Sequence, residues 1–228
     1  MKKLYILYFY FFISICSFAQ SGKVVYLIKP DSIKNISDPE HNNRYLKLME
    51  YGSQLRFELK FNKIQSVFKF IDGVDKEDFE YQVAKAAFGT NSDIYYDNRQ
   101  HREISKTVEG EIIEGLNAIY NWEISTESKK IGEYVCYKAV LNIPYINRKG
   151  ESKTSEIIAW FAPSLPYSFG PKNYYGLPGL ILELKDVRST YIAFSIELLK
   201  EERLIVFPKG KTISKNDYEK CLKSQMGM

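Results

Sequence analysis

The chain has 228 residues, 45% of them hydrophobic and 15% aromatic, and 32 Lys and Arg against 28 Asp and Glu give a net charge of +4. A balance so close to neutral, with both signs interspersed, gives no strong electrostatic case for a nucleic-acid or membrane-surface partner. The 18 Tyr and 14 Phe favour strands, and the length suits one β-rich domain with a substantial core.

Lys2 and Lys3 make a positive start, residues 4–18 are apolar apart from Ser14 and Ser17, and Ser17 and Ala19 supply the small residues of a cleavage site. This is the layout of a secretory signal peptide over residues 1–19. A membrane anchor would need about 20 apolar residues, and this run ends after about 15. Ile15 before Cys16 speaks against lipidation at that cysteine. Cleavage would leave a single domain, residues 20–228, with no transmembrane span and its net charge lowered from +4 to +2 by the loss of Lys2 and Lys3. The expected location is the periplasm or the outer cell surface.

Along the mature chain, residues 24–28 form a first strand between Gly22 and Pro30, and 31–43 reads as loop. Residues 55–61 alternate apolar and charged side chains with period two, the mark of a strand with one wet face, and 64–70 returns as its hairpin partner. Asp72, Asp75, Glu77, Asp78 and Glu80 precede Phe79, Val83, Ala86 and Ala87 at helical spacing, so 72–88 is a short helix or turn-rich excursion. A calcium loop is the sharper alternative there, but the Asp-x-Asp-x-Asp-Gly order is missing.

Further strands fall at 93–96, 102–114, 122–126, 135–143, 154–162, 180–185, 191–198 and 204–207, with a hairpin turn at Asn147 to Gly150. In 135–143, Val135, Tyr137, Ala139, Leu141 and Ile143 share an apolar face, and Cys136 lies opposite, away from the main core. Ser214 caps a C-terminal helix with Asp217 as its third residue and Tyr218 and Leu222 as its packing face. Short strands at near-regular spacing predict a mainly β fold. The expected form is an antiparallel sheet curled into an open or half barrel, like a lipocalin or lipoprotein carrier, with one or two short helices.

The most informative stretch is 160–184. It holds Pro163, Pro166, Pro171 and Pro178 with Gly170, Gly176 and Gly179, so few backbone shapes are open to it. Pro178-Gly179 predicts a type II turn with positive φ at the glycine. Trp160, Tyr167, Phe169, Tyr174, Tyr175 and Leu177 make this segment the candidate ligand- or partner-binding site. Two readings stand: a plug that seals the apolar face of the sheet, or the rim of a pocket for an apolar small molecule, a lipid or a segment of an outer-membrane protein.

With Trp160, the Gly170-Pro171 pair, the hexapeptide at 176–181 and the upstream run at 131–139, the chain resembles the GLPGLI family of exported bacterial proteins. That resemblance is clear over 122–186. It implies export and a shared fold, with no activity to carry over.

Catalytic patterns are sparse. His41 and His101 stand in polar surroundings, no Gly-x-Ser-x-Gly elbow or phosphate-binding glycine loop is present, and nothing in the spacing couples Cys136 to His101. The two histidines and the cysteines are too scattered for zinc. The expectation is a protein without catalytic residues, metal or cofactor that binds an apolar ligand or envelope component. An accessory interaction module of an outer-membrane system and an unrecognised hydrolase are the alternatives. An oxidising compartment leaves Cys136 and Cys221 open to bridging, or both remain buried thiols.

Overall fold

The structure, a computed structural model, describes residues 20–31, 39–71, 78–90, 92–115, 119–147 and 149–225. The proposed signal peptide and the acids Asp72, Asp75 and Glu77 lie outside them. The chain runs through β1 (Ser21–Pro30), α1 (Pro39–Gln54), β2 (Arg56–Asn62), β3 (Gln65–Phe70), α2 (Phe79–Phe88), β4 (Ser92–Asp97), β5 (Arg102–Thr107) and β6 (Ile112–Glu114). It continues with β7 (Glu123–Ile131), β8 (Tyr134–Ile146), β9 (Ser152–Ala162), β10 (Leu180–Lys185), β11 (Ser189–Leu199), β12 (Thr212–Ser214) and α3 (Lys215–Gln225). All twelve strands join one open sheet in the order β12-β6-β5-β4-β3-β2-β1-β11-β10-β9-β8-β7. Every pairing is antiparallel except the short β12–β6 contact. The mainly β expectation of an unclosed, curled sheet is met.

Alternation decides which face is dry. Val24, Tyr26 and Ile28 of β1 point the same way as Phe57, Leu59 and Phe61 of β2 and Tyr191 of β11, and all are buried in the main core. Phe57 stacks on Phe68 with ring centres 5.2 Å apart, and Tyr191 closes on Phe57 edge-on at 5.7 Å. One end of this face is covered by α1 and α2. Gly52 of α1 leaves no room for a Cβ between Phe88 and Pro30, and the Tyr191 hydroxyl donates to the Phe88 carbonyl at 2.9 Å. Asp78 caps α2 by accepting from the Glu80 amide at 2.9 Å and also accepts from the Tyr51 hydroxyl of α1.

The opposite face carries a smaller cluster of Val67, Tyr95, Ile104 and Ile112, covered by Ile205 with Phe207 against it. Here the expected strand at 204–207 is not a strand. Its alternation is real, with Leu204 and Val206 facing water, but the extended backbone lies across the sheet as a strap instead of joining a ladder. The expected single strand at 102–114 is broken by the 107–111 turn into β5 and β6, where the Gly110 amide donates to the Thr107 carbonyl at 3.1 Å. Helix α1 begins at Pro39 and takes in the end of the expected 31–43 loop, of which residues 32–38 lie outside the described residues. Tyr45, Leu48, Met49 and Gly52 form its inward stripe at helical spacing, a pattern masked by the polar residues around it.

Two expectations about β8 are corrected. Cys136 does lie opposite Ala139 and Leu141, yet it is fully buried and belongs to the main core, while Val135 and Tyr137 of the supposed apolar face are exposed. Its cover is the Lys129–Glu183 ion pair at 2.7 Å, with the Lys129 ammonium 4.3 Å above the Trp160 ring. Burial pushes the thiol up to about 11. Cys136 and Cys221 are not joined by a disulfide, and Cys221 sits exposed on α3, so the structure has neither the bridge nor two buried thiols. Thiol titration of protein lacking residues 1–19 is expected to find one reactive group when native and a second only on unfolding. Two fast thiols, or none, would contradict this arrangement. The C-terminal cap is as expected: the Asp217 amide donates to the Ser214 hydroxyl at 3.1 Å, and Tyr218 and Leu222 are half-buried.

Candidate functional site

The 163–179 loop is held by close backbone approach more than by turn chemistry. Gly179 does not take positive φ, against the type II expectation. Instead, a Cβ there would stand 2.4 Å from the Ala162 carbonyl oxygen. Gly170 is similarly hemmed in by Ile181 and the Tyr174 carbonyl. Positive φ falls at Gly176, at +93°, where a side chain would meet open space, and at Lys172. Backbone bonds from Leu165 to Ala162, Leu180 to Leu165 and Ile181 to Phe169 stitch the loop onto the ends of β9 and β10.

The loop's aromatic and apolar side chains are spent inside. Tyr167, Phe169, Tyr174, Tyr175 and Leu177 are all buried in the main core. Tyr167 packs on Phe61 with centroids 4.5 Å apart, Phe169 meets Tyr96 edge-on at 6.3 Å, and Tyr175 stacks on Tyr96 at 3.7 Å. A pocket rim needs exposed ring faces, so this geometry is that of the plug. Trp160 lies on the other side of the sheet beneath Lys129, apart from the loop.

Beneath the plug sits a polar group that the sequence does not announce. Glu103 of β5, opposite Tyr96 of β4, is only 6% exposed. Burial raises its carboxyl above the ordinary range, which Lys215 and the Asn173 amide partly offset. Asn173 also donates to the Tyr120 hydroxyl at 3.1 Å. Tyr120, Trp122 and Tyr174 enclose this corner, and the Trp122 indole donates to the Tyr175 carbonyl at 2.9 Å.

The exposed feature of most interest is on β11. Register between β1 and β11 shifts after Val25, which pairs with Ser195 while Tyr26 pairs with Ala193, so Phe194 is the extra residue of a β-bulge. The bulge turns its ring into water, 69% exposed. Beside it opens a groove of about 260 Å³ lined by Ile131, Glu133, Tyr134, Ala193 and Ile196, between the β7–β8 turn and β11. Nothing in the local sequence marks this site, because a bulge depends on the partner strand. Among the described residues no metal-binding group of His, Cys, Asp or Glu is found, and no helix is long and apolar enough to cross a membrane.

Residues 146–183 match the family model Porph_ging, a protein of unknown function. The matched segment runs through β9 and the loop, including most of β10, and so takes in the plug. No curated protein matches the sequence. Among solved structures the fold is similar to PNGF-II in two crystal forms, each at a TM-score of 0.55, with 14% and 16% identity and 89% of this chain covered. The chain spans about a third of the length of those structures, 33% and 32%. At such identity the likeness is one of fold.

Proposed function

We propose that this chain is an exported, non-catalytic interaction module of the cell envelope, working at the periplasm or outer surface by docking a partner protein beside Phe194. The reading is supported chiefly by the bulge, which holds a large aromatic side chain in water next to a groove of mixed lining that includes Ile131, Ala193 and Ile196. Burying such a ring is the usual source of an interface hot spot. A carrier of a lipid or other apolar small molecule would need interior space, and Tyr167, Phe169, Tyr175 and Leu177 take that space themselves. The partner is therefore sought on the surface, and the accessory role at an outer-membrane system is preferred to the carrier role.

A photoreactive phenylalanine analogue placed at position 194 in the exported protein tests this. One dominant crosslinked product is expected, absent when the same group replaces exposed Val108. Phe194→Ser protein added as competitor should fail to suppress the product while keeping stability within about 0.5 kcal/mol of wild type. Equal products at both positions, or none at 194, would defeat the proposal.

A further inference from the structure

The two ends of the sheet are guarded against stray pairing. Edge strand β7 changes register between Ile124 and Ser128 and carries Glu123, Glu127, Lys129 and Lys130, and β12 has only three residues. Interrupted, charged or very short edges are how β proteins avoid adding strands. Among the described residues, a third edge within the sheet lacks such guards. Strand β11 pairs with β1 along its whole length, from Ser189 to Leu199, but with β10 only at Thr190, Tyr191 and Ile192.

The loop is what opens this edge. The Ile181 amide of β10 donates to the Phe169 carbonyl at 3.0 Å, and the Ile181 carbonyl accepts from the Tyr26 hydroxyl at 2.6 Å. The main-chain amide and carbonyl of Ile181, two residues before the first β10–β11 pair at Glu183, are thereby taken. Beyond Ala193, β11 reads Phe-Ser-Ile-Glu-Leu-Leu, apolar and carrying one charge, and it is half-buried to exposed throughout.

We infer that the β10-side edge of β11 beyond Ala193 receives an extended peptide segment as an added strand. Main-chain amides and carbonyls along an edge recognise extended backbone, while side chains at every second position find the neighbouring groove. That groove supplies Ile131, Tyr134 and Ile196 for apolar side chains, and Phe194 flanks it. Glu133 is the charged group in its lining, which favours a segment with a basic residue over an acidic one. The inference deepens the interaction reading above and names the form of the docked segment.

The test is to pan a random peptide library on the folded protein lacking residues 1–19, with Phe194→Ser protein as counter-selection. Enrichment of sequences with apolar residues at alternate positions and few acids is expected. A recovered peptide should lose at least about tenfold in affinity when alternate amides are N-methylated, since its side chains persist and its ladder does not. No enrichment, enrichment without alternation, binding indifferent to N-methylation, or pairing of two copies of this chain through β11 in place of peptide binding would each overturn the inference. A dominant crosslink at position 194 alongside any of these results would leave the interaction module standing and remove only the added strand.

Discussion

Gly179→Ala is expected to lower the stability of the domain by about 3 kcal/mol, the upper end of what forcing extra atoms into a tight site usually costs. The new methyl would meet the Ala162 carbonyl oxygen at 2.4 Å, its carbon at 2.6 Å and the Pro163 nitrogen at 2.9 Å, all backbone that cannot rotate away. Ala162 is paired with Leu180, so relief requires parting β9 from β10 at the point where the loop is anchored. Gly176→Ala is the comparison that makes the result diagnostic. That position has positive φ but open space, so its cost is the left-handed strain alone, about 1–2 kcal/mol. Urea unfolding of the two variants should therefore rank Gly179→Ala as the more damaging. The reverse order would mean that a positive-φ turn, and not backbone contact, governs the loop.

Glu103→Gln is expected to stabilise the protein at about pH 8, by on the order of 1–2 kcal/mol, with the gain shrinking to nothing below about pH 4. The sign follows from the raised carboxyl. A group that binds its proton more tightly when folded adds stability below its unfolded pKa and loses it as pH rises through the folded value. The groups facing Glu103 are Tyr96 across the ladder, Tyr120 and Asn173 above it, and Lys215 at the start of α3, and only the last two favour its charge. Glutamine keeps the shape and removes the ionisation. At this chain length 1 kcal/mol moves the melting temperature by about 2–4 °C, well within reach of calorimetry. A variant that follows the wild-type pH profile in parallel would show that Glu103 is solvated and that the plug does not seal this corner.

Both predictions concern groups whose importance arises between distant segments, and that separates what was legible in the sequence from what was not. Period-two alternation placed β2, because a strand's side chains report its own two faces, and β1 and β3 followed from the Gly22 and Pro30 bounds and the hairpin return. The Ser214 and Asp217 pair marked the start of α3 for the same local reason. Proline and glycine density identified 163–179 as stiff, since φ restriction is a property of the residues themselves.

Other features needed the fold. Whether Tyr174 and Tyr175 faced water or Tyr96 depended on a strand some eighty residues away, and the plug answer came only with the contact. Extended backbone at 204–207 looks the same whether it joins a ladder or straps across one. Helix α1 stayed hidden because one narrow stripe, from Tyr45 to Gly52, carries its packing amid polar neighbours. Among the described residues, β11 is left without a β10 partner beyond Ile192, where Phe169 and Tyr26 occupy Ile181. An edge is the absence of a partner, and a sequence by itself states which residues can pair, while only their arrangement in space decides which are left over.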